Sequence, residues 1–280
     1  MLGSRGQPQL HGLNIRHLDR RAGPSLGAAR LCSGATLVVL VCAALIPAAG
    51  SASEPEVAGA IVQRVAPRVA GDDLLSRGTA SHWAHPAHEA PIRRRPRAGA
   101  ERITSTHYVT EDGFPEVYPA LRQWRDPQGL VWIRVRIPMR PNGRTGWVRR
   151  FALGPLYVVH TKIVVNRRRG RAALYNRGNR IWKAPVGTGA PGTPTPPGRH
   201  WIREKFRNAD PGGLYGPFAF GTSDYSVLTD WPGGGVIGIH GTDEPGLIPG
   251  RPSHGCIRVR NGALRRLWRL LPIGTPLTIR

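Results

Sequence analysis

The 280-residue sequence predicts a mainly β protein, and three observations predict it. Glycine and proline are abundant, 36 and 27 residues without a fixed period, so turns should be plentiful and long helices few. Beyond residue 100, short apolar runs with period-two alternation succeed one another at close spacing, the pattern of half-buried strands. Only one stretch, near the C-terminus, carries convincing helical periodicity. The length accommodates one mid-sized domain and a smaller one.

Residues 1–52 read as an export segment, a signal peptide or membrane anchor. Arg16, Arg20, Arg21 and Arg30 precede the apolar run Thr36–Ile46, and small residues follow at Ala48–Ala52. A basic stretch, an apolar core and a small-residue exit are the parts of a secretory signal. Even extended back to Leu31, the run falls short of the ~20 apolar residues of a spanning helix. Residues 53–102 read as linker, largely disordered, ending in the basic Ile92–Arg97; Val57, Ile61, Val62, Val65 and Val69 offer a short helical face within it. His82, His85 and His88 raise a metal site, but Pro86 breaks any regular helix between them, so solvated linker histidines are expected and no metal is assigned.

Residues 103–153 read as a small β-module. Val131, Ile133 and Val135 share one strand face, and Pro141-Asn142-Gly143 supplies a turn before Trp147. Residues 156–280 read as the second unit, with strands at Tyr157–Val159, Lys162–Asn166, Ala172–Tyr175, Ile181–Val186 and Thr275–Ile279. Its helix is expected at Gly262–Leu271, with Leu264, Leu267 and Leu271 on the buried face and Asn261 as N-cap.

A formal net charge of +23 raises nucleic-acid binding in an intracellular protein. Export argues against that and favours anionic surfaces, such as acidic wall polymers, as partners. Contact with a membrane is expected only through the N-terminal segment. Cys32 and Cys42 lie in or beside the export segment, which leaves Cys256 alone in the mature chain: a dimer link, a buried bystander or a reactive thiol.

Its neighbours favour reactivity. An apolar strand, Val236–Ile239, delivers His240, and Cys256 follows sixteen positions later, preceded by Gly255. A free thiol is only a few per cent thiolate near neutrality, so a nucleophilic cysteine needs a base or a positive charge nearby. His240 and His254 are the available bases, and Arg258 and Arg260 add positive potential. Gly255 allows close approach to the sulfur, and N–H groups around Gly255 and Cys256 are candidates to face a developing oxyanion. Taken singly, a free cysteine is most often a buried small hydrophobe and a lone histidine a core residue. The pair shifts the balance.

The segment IHGTDEPGLIPGRPSHGCIRV closely resembles the active-site signature of the YkuD-type L,D-transpeptidases. A second hallmark is similar upstream, in APVGTGAPGTPTPPGRHWI, and the stretch WIRVRIPMRPNGRTGWV resembles the SH3-like segment that often precedes such domains. The resemblance covers roughly Leu156–Arg280. It implies a β-sandwich or barrel-like catalytic domain without cofactor, in which Cys256 attacks a peptidoglycan stem peptide between its third residue and D-alanine. The thioester would pass to the side-chain amine of a neighbouring stem, giving a 3→3 crosslink. By the same resemblance His240 is the base and the Gly241 carbonyl orients it, while Ser253, His254 and Arg258 meet substrate or shape its pocket. From Leu156 to Arg280 there are 19 Lys and Arg against 6 Asp and Glu, which suits stem carboxylates. Hydrolysis of the same acyl-enzyme, attachment of a wall protein, and a non-catalytic wall-binding protein remain as alternatives at this point.

Overall fold

The structure, a computed structural model, describes residues 63–65, 73–74, 76, 78–230 and 232–280. The export segment, Cys32 and Cys42 lie outside them, as does most of the helical face read at Val57–Val69. Among the described residues no helix is long and apolar enough to cross a membrane.

Two sheets carry the chain, as the alternating runs require. The first is built from β1 (Gln63–Val65), β2 (Asp73–Leu74), β3 (Ser81–Ala84), β4 (Pro91–Arg93), β5 (Arg102–Ser105), β6 (Tyr118–Arg125), β7 (Val131–Arg136), β8 (Thr145–Arg149) and β9 (Leu156–Val159). Its order is β1-β9-β3-β6-β7-β8-β4-β5, with β2 on β6. The second comprises β10 (Thr161–Asn166), β11 (Arg171–Asn176), β12 (Asn179–Gly189), β13 (Gly198–Trp201), β14 (Phe206–Arg207), β15 (Phe218–Tyr225), β16 (Val236–His240), β17 (Gly250–Ser253), β18 (Ile257–Val259) and β19 (Pro276–Ile279). Its order is β13-β19-β10-β11-β12-β18-β16-β15-β14, with β17 on β12. The helix α1 (Asn261–Leu270) packs on this sheet.

The periodicities translate into two cores. Ile133 and Val135 of β7 are buried with Tyr118, Ile92 and Val148 in the first sheet. In the second, Ile163 and Val165 of β10 meet Leu174, Val186, Ile257 and the helix leucines. Leu264, Leu267 and Leu271 are fully buried, each worth roughly 1.5–3 kcal/mol of transfer free energy.

Three expectations need correction. Residues 81–102, read as linker, contribute β3, β4 and the start of β5, with Trp83 and Ile92 buried. These strands are too short to display a period, and their stability comes from pairing with β6, β8 and β9 rather than from their own pattern. His85 of that span is accordingly not a solvated linker side chain, its Nδ1 lying 2.7 Å from the Glu116 carbonyl and its ring edge-on to Trp83, and His82 is partly buried, whereas His88 is exposed. The second expectation concerns Tyr157–Val159, which pairs with β1 and β3 and so belongs to the first sheet; the second sheet begins at Thr161. Third, Asn261 is not the N-cap. Arg260 holds that place without a side-chain bond, and Asn261 Oδ1 instead accepts the Thr242 N–H at 3.0 Å, tying α1 to the exit of β16.

The sheets meet through Trp83, Val117, Val159 and Trp201, and the Trp201 indole N–H donates to the Val117 carbonyl at 2.8 Å. Beside them lies a buried ion pair, Arg203 with Glu116, to which Glu111 adds a second carboxylate 2.9 Å away. A guanidinium in such a place is tolerable only when its donors are matched, as these are.

Candidate active site

The pairing of β16 with β18 builds the site. The two strands run parallel, with Ile239 opposite Ile257 and His240 opposite Arg258. One rung earlier the Gly238 N–H points at the Cys256 sulfur, 3.4 Å away. Because side chains alternate along a strand, Ile239, Ile257 and Val259 enter the core, while positions 238, 240, 256 and 258 share the opposite face. A Cβ placed on Gly238 would stand 3.7 Å from His240 Cδ2 and 3.9 Å from Cys256 Sγ. The imidazole and the sulfur therefore look into the same gap, held open by the missing side chain.

His240 is buried, and its Nδ1 lies 2.7 Å from the Gly241 carbonyl. A carbonyl only accepts, so Nδ1 carries the proton and Nε2 is left as the basic nitrogen. The Tyr215 ring meets the imidazole edge-on at 4.8 Å, and its carbonyl takes the Gly241 N–H at 2.8 Å. Gly241 has no room for a side chain, since a Cβ would fall 2.3 Å from Asn261 Oδ1 and 2.8 Å from Gly216 Cα. Burial pushes the His240 pKa down to about 4, opposed by the bond to Gly241 and reinforced by the Arg258 charge.

Cys256 is partly exposed, yet desolvation of its sulfur raises the thiol pKa; the Gly238 N–H and Arg258 pull it back, and Asp224 pushes with desolvation. The resting pair is thus neutral thiol beside neutral imidazole.

The loop before the sulfur is fixed from inside. Ser253 Oγ donates to the Cys256 carbonyl at 2.6 Å and accepts the Gly255 N–H at 3.2 Å. Thr195 Oγ1 donates to the Gly255 carbonyl at 2.6 Å while accepting the Gly189 N–H at 2.9 Å. Gly255 has φ +128°, and a Cβ there would meet Ile237 Cδ1 at 2.7 Å, so only glycine fits. The Gly255 N–H is already spent on Ser253. Ser253 in turn is occupied within the loop rather than turned to a ligand. His254 is exposed, and its carbonyl accepts from Ser226 Oγ at 3.4 Å. Arg258 is buried and donates to Glu244 at 2.8 Å.

Several residues of the arrangement escape a reading of the sequence. Thr195 and Gly189 lie in the upstream glycine- and proline-rich hallmark, whose contact with the cysteine loop only the fold reveals. Tyr215 stands in an unpatterned loop. Asn142, read only as a turn residue, reaches from the first sheet to β15: its Nδ2 donates to Asp224 Oδ1 at 2.6 Å and the Tyr225 carbonyl at 3.0 Å, and its Oδ1 accepts the Tyr225 N–H at 3.1 Å. Arg140 donates to the carbonyls of Ser226 and Leu228 at 3.0 and 3.2 Å. Among the described residues no group of His, Cys, Asp and Glu is disposed to hold a metal ion.

Residues 160–279 match the family model YkuD, the L,D-transpeptidase catalytic domain. A YkuD protein of Bacillus subtilis (strain 168), named for L,D-transpeptidase activity, is 35% identical over 102 residues, covering 36% of this chain and 55% of its own length. A YkuD protein of Bacillus licheniformis is 32% identical over 106 residues, covering 38% of this chain and 57% of its own. The chain thus spans little more than half the length of these relatives. Among solved structures, an L,D-transpeptidase of Enterococcus faecium is 24% identical at a TM-score of 0.35, covering 43% of this chain and 49% of that one. An L,D-transpeptidase from Mycobacterium smegmatis is 16% identical at a TM-score of 0.34, covering 54% and 90%. At such scores the likeness carries no further argument. The matched region and the signature residues coincide: residues 160–279, which contain His240, Gly255 and Cys256, are similar to the L,D-transpeptidase catalytic domain of the YkuD type.

Proposed function

We propose that the chain is an exported peptidoglycan L,D-transpeptidase that forms 3→3 crosslinks through a Cys256 thioester. The observation that supports this most is the gap at Gly238, which the Cys256 sulfur and the His240 imidazole both face, with Nδ1 engaged by Gly241. As the sulfur bonds to the carbonyl carbon of the donor stem, its proton passes to His240 Nε2 and then to the departing D-alanine amine. The acceptor amine gives up a proton to the same nitrogen and displaces the sulfur. A neutral pair suits this sequence, because the thiol surrenders its proton only when substrate is in place. With the Gly255 N–H engaged, the Cys256 N–H is the backbone donor we assign to the oxyanion. Arg258, on the shared face, supplies positive potential for a stem carboxylate, and exposed His254 lies at the mouth of the site.

In this reading residues 1–52 direct export, the first sheet, to which residues 103–153 contribute together with β3, β4 and β9, forms an SH3-like module ahead of the catalytic domain, and stem peptides serve as donor and acceptor. Incubation of the purified protein with tetrapeptide stems, followed by mass spectrometry of the products, tests it. Crosslinked dimers and free D-alanine are expected, with at least a ~10³-fold loss of rate in Cys256→Ala. Trimmed monomers without dimers would assign water as acceptor instead, and undiminished crosslinking by Cys256→Ala would end the proposal.

A further inference from the structure

Away from Cys256 a cleft of about 650 Å³ opens between the sheets, sharing no residue with the candidate active site. Four cations line it: Arg136 ends β7, Lys162 lies on the outward face of β10, Arg199 on β13, and Arg280 follows β19. The register explains the convergence. Lys162 and Val164 alternate with the core residues Ile163 and Val165, and Arg199 pairs with Thr278 of β19, next to β10. No Asp or Glu is among the described residues that line the cleft.

Arg136 is the telling member. It is only partly exposed, and among the described residues its side chain has neither a hydrogen bond nor an ion pair. Its pKa is lowered by burial, then by the charges of Arg199 and Arg134, so it is desolvated and repelled without compensation. Elsewhere buried guanidinium groups meet carboxylates, Arg203 with Glu111 and Glu116 and Arg258 with Glu244. An isolated charge held out of water is costly unless something pairs with it.

We infer that this cleft is an anion-binding site for phosphate groups, carried by a small phosphate ester or by a phosphodiester polymer. Phosphate fits better than a lone carboxylate. A monoester's charge of up to about −2 with three acceptor oxygens, or successive phosphodiesters of about −1 each, answer several cations at once, and guanidinium forks match phosphate geometry. The volume exceeds that of a bare ion and lies in the ordinary range of ligand sites. His160, held towards its neutral form by burial and by Arg177, adds a polar wall. The inference stands apart from the chemistry at Cys256.

Titration calorimetry of the full chain with inorganic pyrophosphate at low ionic strength tests it. Saturable binding at one site is expected, weakened at least about tenfold in Arg136→Gln/Arg199→Gln and measurably in Lys162→Gln, a change at an exposed position. Arg168→Gln/Arg169→Gln, which removes the same charge from an exposed turn, should change the affinity less than about twofold. Equal losses in the two double variants, unaltered binding by Lys162→Gln, or no saturation by the wild type would overturn the site, and citrate binding as tightly as pyrophosphate would overturn the choice of phosphate. A poly(glycerol phosphate) chain that displaces pyrophosphate assigns the polymer as the source. Pyrophosphate binding without such displacement assigns the small ester.

Discussion

At Cys256 desolvation opposes ionisation while a backbone N–H and the Arg258 charge favour it, and desolvation wins. The sulfur should therefore react with iodoacetamide more slowly than a free cysteine at pH 7, its rate still climbing with pH beyond the usual thiol range; mapping the labelled peptide by mass spectrometry isolates Cys256 from Cys32 and Cys42. A rate already at its plateau near neutrality would point to a resident thiolate. Gly238 yields a second expectation. A methyl group there makes only ordinary contacts, the nearest neighbour being the Phe220 carbonyl at 3.6 Å, but it occupies the gap between imidazole and sulfur. Gly238→Ala should thus lower kcat at least about tenfold while leaving the thermal midpoint within a few degrees. Gly241→Ala differs, because its Cβ meets Asn261 and Gly216 in fixed positions, and a loss of about 1–3 kcal/mol in urea unfolding is expected. Cys256 and His240 were legible in the sequence because a short motif carries both. Gly238 was not, since its importance comes from the rung it occupies opposite the sulfur.

Elements repeat that contrast. Strands with three or more alternating apolar residues, such as β7 and β10, and the leucine face of α1 could be read directly, because each writes its own burial into its period. The short strands β3 and β4 could not, because their partners create them. Side chains that leave their own element were also hidden: Asn261 abandons the cap of α1 for Thr242, and Asn142 leaves its turn to bond Tyr225 as a neighbouring strand would. The second case bears on the site. Tyr225 adjoins Ser226, whose hydroxyl bonds the His254 carbonyl, so the turn after β7 supports the cysteine loop through two intermediate residues. Asn142→Ala removes three hydrogen bonds at a partly buried place and should cost about 1–3 kcal/mol. The rate of Cys256 acylation by a carbapenem, followed by mass spectrometry, should fall in the same variant at temperatures where it remains folded. An unchanged rate would mean that the support is structural only.

Across the whole molecule, buried titratable groups set how stability varies with pH. Asp224 is pushed up to about 8 and Glu204 to about 7, both chiefly by burial. Unfolded carboxyls titrate near pH ~4, so between there and their native values the folded protein holds protons that the unfolded chain has released. Stability contributed by these groups is present below about pH 4 and lost as pH rises through their native pKa values. His200 and His240 act with the opposite sign. Both are pushed down to about 4 by burial, against roughly 6.5 when unfolded, so their contribution is present above about pH 6.5 and lost as pH falls through 4. The two slopes oppose one another on the acid side. Above about pH 7.5 His200 and His240 are essentially neutral in both states, and the Asp224 slope is no longer countered by them. Asp224→Asn keeps an oxygen to accept from Asn142 Nδ2 and removes the titration, so the urea midpoint of the variant should fall less steeply over this window than that of the wild type. Parallel slopes for the two proteins would show that Asp224 is already ionised in the native state, and would leave the buried carboxylate to be compensated by Asn142, by His200 3.6 Å away and by the more distant Arg167.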